Sequence, residues 1–590
     1  MINDPIEFEL FKNSLFSIAD EMALTIFRTT YSGVLKDNMD YSTAMFDGSG
    51  KLVAQGLTLP GHLGSMPTAM AAIRKAFDGK IAPGDVFILN DPFQGGMHLP
   101  DIFVFKPIFC GRGLLAWAGT VCHHTDVGGR VPGSNASDST EIYQEGLRIP
   151  PLKLFDRGAR NDTLWALIER NVRVPVKVFG DLRAQLAACH ISKRSLIELA
   201  GHYGVEKVGH YMTELIDYSE RMTRAAIREL PDGVYSFLDH IDDDGIDVGK
   251  PIPLAVTVTK SGDQILVDST GSSPQVKGAI NNTLSFTKSA SYCAIRSILP
   301  ADIPNNEGVF RAIEVTAPPG TIANGVLPAA CAARGLTGFR MVDCMFGALA
   351  QMLPDKVFAS SDGGNTGISI GGWDADRRPF TCCAWGGRPY ADGLDGNSNI
   401  YANMASQSIE VTETEQPIEI AAYEFIPDAM GPGKFRGGAP FRRDYRFLAE
   451  EGILQVRSDR RDFRPYGLYG GGPGKPSMNY LNPDSENRPL SSKLTMTIRR
   501  GDTFRHEVAG AGGWGDPLER DPAMVLKDVR NELVSERSAR EDYGVVLAGK
   551  PLSVDEAATR AVREKLRHAR NWPHEPMISW EPPVIAMAAE

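Results

Sequence analysis

In the stretch NDPFQGGMHLPD, residues 90–101, His98 and Asp101 stand three positions apart around Pro100, directly after Gly95-Gly96. An imidazole nitrogen and a carboxylate oxygen are donors that a divalent metal accepts. Pro100 biases Leu99 toward extended geometry, so the pair is expected on a rigid turn, and the two glycines allow backbone to approach closely. The next histidine, His123, follows the mostly apolar run Leu114 to Cys122, and the run Ile102 to Ile108 begins just after Asp101. If these runs pair antiparallel, the end of the second returns to the start of the first and sets His123 beside Asp101. Asp40, before another strand-like run, adds a second carboxylate. Two histidines and two aspartates without a thiolate suit Zn or Mn. The plainer alternative is a turn with a capping aspartate and a surface histidine.

Successive side chains on a strand face opposite ways, so only one of His123 and His124 is expected to meet such a metal, and the assignment falls on His123. His124 and Asp126 share the other face, where they are expected to move protons or to orient a ligand. The same alternation separates Cys122 from His123 and argues against a thiolate pair. GISIG, residues 367–371, resembles a nucleophile elbow, but no helical pattern follows it. GGPGKPS and GSGKL place Pro476 and Leu52 where a phosphate-binding loop needs a hydroxyl. The arginine-rich runs KFRGGAPFRRDYRF and RSDRRDFRPYG are expected to pair with the chain's excess carboxylates at surfaces or interfaces.

The elements that must hold these residues are legible in outline. Asp4-Pro5 opens a helix, with Phe8, Phe11, Leu15, Ile18, Met22 and Ile26 as its apolar stripe. DYSTAMFDGSGKLVAQG reads as two strands around Asp47-Gly48, Ser65 and Pro67 begin a helix through Phe77, and GDVFILNDP contains a buried strand. Helical periodicity runs from Asp181 to about Leu230, broken near Gly204. LAVTVTK and QILVDST flank a hairpin at Ser261-Gly262-Asp263, and two more helices are expected over 522–538 and 554–567 before a Pro-rich tail.

At 590 residues the chain exceeds what one hydrophobic core organises. The expected architecture is multi-domain α+β with mixed sheets and glycine-rich loops: an N-terminal metal-binding unit over 1–230, a β-rich unit over 231–517, and a helical segment and tail over 518–590. A net charge of −11 disfavours nucleic acid as a partner. The N-terminus lacks a signal-peptide pattern and no apolar run reaches spanning length, so a cytoplasmic protein with reduced cysteines and no membrane partner is expected.

DYSTAMFD (40–47), HLGSMP (62–67), GDVFILNDPFQGGMHLPDI (84–102), HHTDVGGRVPGS (123–134), GDLRAQLAA (180–188), PAACAARGLTGFRMVD (328–343), GPGKFRGG (431–438) and GAGGWGDP (510–517) are together similar to the motifs of the hydantoinase B/oxoprolinase family. The resemblance implies an ATP-dependent cyclic amide hydrolase of the hydantoinase, oxoprolinase or lactamase type. It further implies a hetero-oligomer in which an A-type subunit binds ATP and phosphorylates the amide carbonyl, and this chain acts on the product. The alternative within the family is a subunit of an ATP-dependent ketone carboxylase. The family's His-x-x-Asp motif and downstream histidine fall on His98, Asp101 and His123, with Asp40 as a fourth ligand for one divalent ion.

Overall fold

Asp4 accepts hydrogen bonds from the backbone N–H groups of Ile6 and Glu7, and with Pro5 it starts the helix Pro5–Thr29. The six stripe residues are all buried, against the long helix Pro175–Tyr203 and the first sheet. This computed structural model describes residues 4–364, 366–371, 380–381, 385–397 and 399–569. Cys382-Cys383 and the Pro-rich tail lie outside them.

The first sheet has seven strands: β1 (Tyr41–Asp47), β2 (Leu52–Gln55), β3 (Val86–Leu89), β4 (Asp101–Cys110), β5 (Gly113–His123), β6 (Leu152–Asp156) and β7 (Ala159–Arg160). They are antiparallel and ordered β2-β1-β5-β4-β3-β6-β7. Both faces of β4 are covered. Phe103 and Phe105 pack toward the middle of the molecule, whereas Ile102 and Val104 pack toward the N-terminal helix and Pro175–Tyr203. Burial on both sides explains why β4 and β5 read as almost continuous apolar runs.

The expected hairpin at Ser261-Gly262-Asp263 joins β9 (Ile252–Ser261) to β10 (Gln264–Asp268). With β8 (Gly233–Ile241) and β11 (Ile313–Thr316) these form a mixed sheet, because β10 and β11 run parallel. One hydrophobic cluster spans from Ala44 to Leu468 and includes the helices Leu284–Ile298 and Gly335–Met352, so packing continues across residue 230. Two further antiparallel sheets include Glu451–Arg457 and Phe441–Phe447. The glycine loops there stack backbone on backbone: a Cβ on Gly512 would sit 1.9 Å from the Tyr466 carbonyl oxygen.

The helix expected over 522–538 is two helices, Pro522–Arg530 and Glu536–Glu541. The chain turns between them at Glu532, with φ 60°, so that Leu533 and Val534 enter a small core with Met430 and Tyr543. Burial of those two side chains overrides continuous helical periodicity. GISIG lies within the strand Thr366–Gly371, paired to Glu451–Arg457, and is not a nucleophile elbow.

Candidate metal centre

The loop before β4 is held in place by its own backbone and by Asn90. Asn90 Nδ2 donates to the carbonyl oxygens of Leu99 at 2.7 Å and Leu147 at 3.0 Å, and its Oδ1 accepts from Ile149 N–H at 2.6 Å. Gly96 presses on Asn90: a Cβ there would lie 2.5 Å from the Asn90 carbonyl oxygen. The turn closes with Asp101 N–H donating to His98 O, and His98 Nδ1 comes 2.8 Å from Asp101 Oδ2.

Asp101 opens β4 opposite His123, the last residue of β5, and His123 Nδ1 lies 3.0 Å from Asp101 Oδ1. On the other side of β5, His123 N–H donates to Asp40 O at 3.0 Å, which sets the Asp40 carboxylate 3.7 Å from His123 Nδ1. His62, on the short helix Pro60–Leu63, places Nε2 at 3.3 Å from Asp40 Oδ1 and 3.7 Å from Asp101 Oδ1. Donors about 2.1 Å from a shared ion stand roughly 3.0–3.4 Å apart, so this spacing of buried nitrogen and oxygen atoms fits a divalent metal. His98, Asp101 and His123 each offer a ligand atom within 4.8 Å of the others.

Burial would raise the Asp101 carboxyl, but the His98 ring and the Arg334 guanidinium outweigh it and hold it well below the usual carboxylate range. Burial pushes His62 down to about 4, leaving a neutral imidazole. Arg334, just ahead of the helix Gly335–Met352, places Nη2 2.5 Å from Asp101 Oδ2 and lies 4.1 Å over the Phe286 ring. Its buried Nε has no hydrogen-bond partner among the described residues. Arg457, at the end of Glu451–Arg457, lines the same cavity, together with Phe286, Phe339 and Met404. The cavity holds about 30 Å³, room for a water and little else.

The structure therefore brings Asp40, His98, Asp101 and His123 together. His124 and Asp126 do not line the cavity. The His124 ring points the other way, with Nε2 3.0 Å from Gln185 Oε1, and burial lowers its pKa. Asp126 requires a correction, because its carboxylate accepts from the N–H groups of Gly128, Gly133 and Arg173 and from Arg173 Nη1, at 2.9–3.0 Å. Those bonds staple the loop after β5. Cys122 is buried, and burial pushes its thiol well above the usual range, so it supplies no thiolate.

His62, Arg334 and Arg457 were not singled out by sequence reasoning. His62 stands in HLGSMP, but nothing in its spacing pairs it with Asp40, and Arg334 meets Asp101 across 233 positions. The two arginine-rich runs pair with carboxylates, at the surface as expected for Arg442 with Glu424 and Arg446 with Glu419, and also in the interior, where Arg460 meets Asp239 and Asp343.

A buried nitrogen-and-oxygen donor cluster at the end of an antiparallel sheet places the chain among multi-domain α+β proteins with a candidate metal centre. The chain belongs to the hydantoinase B/oxoprolinase family, whose model matches residues 4–517. The putative B-type component of a D-/L-hydantoinase from Pseudomonas sp. (strain NS671) is 33% identical over 92% of this chain and 95% of its own. The crystal structure of ATP-dependent caprolactamase from Pseudomonas jessenii shares 33% identity, covers 96% of this chain and 100% of that one, and has a TM-score of 0.89. A nucleotide-free acetone carboxylase structure, at 20% identity and a TM-score of 0.88 over 97% of this chain and 84% of that one, shares the fold.

Proposed function

We propose that this chain is the metal-dependent subunit of an ATP-dependent cyclic amide hydrolase, working on an imidate phosphate made by an A-type ATP-binding partner. The observation that carries this reading is the buried donor set of Asp40, His98, Asp101 and His123, joined by His62 and faced by Arg334 and Arg457. The kinship with a hydantoinase component and a caprolactamase supports the amide as substrate and the partner as the source of phosphorylation. The likeness to acetone carboxylase extends to the fold alone, and no feature of the cavity favours ketone carboxylation.

Asp40, His98, Asp101 and His123 would hold one Zn or Mn ion, with His62 as a further donor. Such an ion supplies an activated water and neutralises developing negative charge. Arg334 and Arg457 bring positive charge to the cavity, which as folded has room for a water, so an imidate phosphate would enter only as the cavity walls move apart and would then meet guanidinium groups able to hold its phosphate oxygens. Water adds to the C=N carbon, the ring nitrogen is protonated and leaves as an amine, and the resulting acyl phosphate is hydrolysed to carboxylate and phosphate. The apolar walls of Phe286, Phe339 and Met404 keep bulk water from the activated carbon. In this reading residues 1–230 carry the metal ligands, 231–517 supply both arginines, and the helices of the 518–590 segment that lie before residue 570 pack against Met430 and Ala439 beside the glycine loops, within a cytoplasmic hetero-oligomer.

His98→Ala tests the assignment. Metal content should fall to background and partner-supported turnover should vanish, while circular dichroism stays native, since open catalytic sites add less to folding than closed structural ones. Full metal content in that variant refutes the donor set.

A further inference from the structure

The short turn Ile142–Gln144, in the stretch that follows β5, docks on the segment that ends in Arg334. Ile142 N–H donates to Pro328 O at 3.0 Å, and Glu145, one residue past the turn, reaches Cys331 and Ala332. Its Oε1 accepts from both N–H groups, at 2.7 Å and 2.9 Å. Glu145 is 2% exposed and does not line the metal cavity, so its carboxyl acts on residues 331–334 and not on anything bound beside Asp101.

That four-residue turn is tied to both of the cavity's arginines. Arg334 N–H closes it by donating to Cys331 O at 3.0 Å, and Ala333 N–H donates to Ala279 O at 2.7 Å. From its end Arg334 reaches Asp101 Oδ2 and lies over the Phe286 ring. At its middle the Ala332 carbonyl oxygen accepts from Arg457 Nη1 at 3.5 Å. Ala332 therefore gives its N–H to Glu145 and its carbonyl to Arg457. Without the Glu145 acceptor, two adjacent N–H groups on buried residues lose their partner, which is costly enough to shift the turn. Burial pushes the Glu145 carboxyl up to about 8 against those N–H groups and the Arg130 and Arg334 charges. Near neutral pH it is thus the uncharged acid, which grips the turn without competing with Asp101 for Arg334, and which glutamine reproduces.

We infer that Glu145 is a positioning residue: by fixing the turn 331–334 it holds Arg334 on Asp101 and sets the carbonyl that Arg457 meets, and so places the positive charge of the metal cavity. The value of that charge to the reaction rests on the function proposed above; the placement of the arginines does not.

Zn²⁺ affinity of the full chain is measured by competition with a fluorescent chelator. A guanidinium beside Asp101 opposes a cation there, so Arg334→Ala should bind Zn²⁺ about tenfold more tightly. Glu145→Met fills the space without offering an oxygen and should gain about threefold, while the Glu145→Met, Arg334→Ala double variant should bind no more tightly than Arg334→Ala alone. Glu145→Gln, which restores the acceptor, should return to within about twofold of the wild type. Wild-type affinity in Glu145→Met, or gains that simply add in the double variant, overturns the inference. A crystal structure of Glu145→Met decides the same point without a metal: Arg334 should stand away from Asp101, and an unmoved Arg334 overturns the inference. A wild-type chain that binds no Zn²⁺ or Mn²⁺ would sink the donor set of the proposed function alone, whereas metal binding with Arg334 unmoved in Glu145→Met would sink this inference alone.

Discussion

Adjacent His123 and His124 send their rings to opposite sides of β5, one toward Asp101 and one toward Gln185. His123→Ala should therefore lose metal and rate together, whereas His124→Ala should keep its metal and show a lower melting temperature, because it leaves Gln185 short of a partner. Metal analysis of the two variants reads the difference, and the reverse pattern would move the ligand by one residue. Glu145 is the other residue with a measurable signature. Its Oε1 accepts from Cys331 N–H at 2.7 Å and Ala332 N–H at 2.9 Å, in the loop that leads to Arg334. Burial pushes its carboxyl up to about 8, opposed by those two N–H groups and the Arg130 and Arg334 charges. A carboxyl raised in the folded state favours folding fully below its unfolded value, and that stability is lost as pH rises through about 8. Glu145→Gln keeps an acceptor for the loop and removes the titration. Its melting temperature should gain on the wild type between about pH 5 and pH 8.5; parallel curves would show that Glu145 carries no such proton.

Among the elements, the pairing of β4 with β5 does most to assemble the centre, because it sets Asp101 opposite His123 and carries Asp40 in from β1 on the far side. That pairing was readable: two apolar runs joined by a short turn have few alternatives, and a slip of one residue would exchange the buried faces. The glycine turn is its counterpart. Gly96→Ala should force Asn90 and the His98 turn apart, costing about 1–3 kcal/mol and weakening metal affinity. Thermal melts and competition with a metal indicator measure both, and a variant with native melting and affinity would mean that the turn adapts freely. The split between Pro522–Arg530 and Glu536–Glu541 was not readable, since Leu533 and Val534 match a helical stripe until the loop near Met430 offers them a core.

Across the whole molecule, β4 and β5 meet side chains from far along the chain: Arg334 from the start of a central helix and Arg457 from the end of a strand in another sheet. Neither phosphate-loop near-miss has the required hydroxyl. The isolated chain should accordingly show no ATPase activity and should open a lactam only when its A-type partner and ATP are added. ATP hydrolysis by the chain alone, measured as released phosphate, would overturn that division of labour.

The features written into the order of residues are local: the amphipathic N-terminal helix, the two strands that flank the turn, and the four residues Asp40, His98, Asp101 and His123 that this pairing gathers. Each follows from periodicity, from proline and glycine chemistry, or from antiparallel register, all of which act over short distances along the chain. Folding in three dimensions added the rest: Asp126 accepts from backbone N–H groups and Arg173, His62 comes beside Asp40 and Asp101, and Arg334 and Arg457 line the same cavity. Those contacts link segments with no shared pattern, because packing brings them together and spacing carries no record of it.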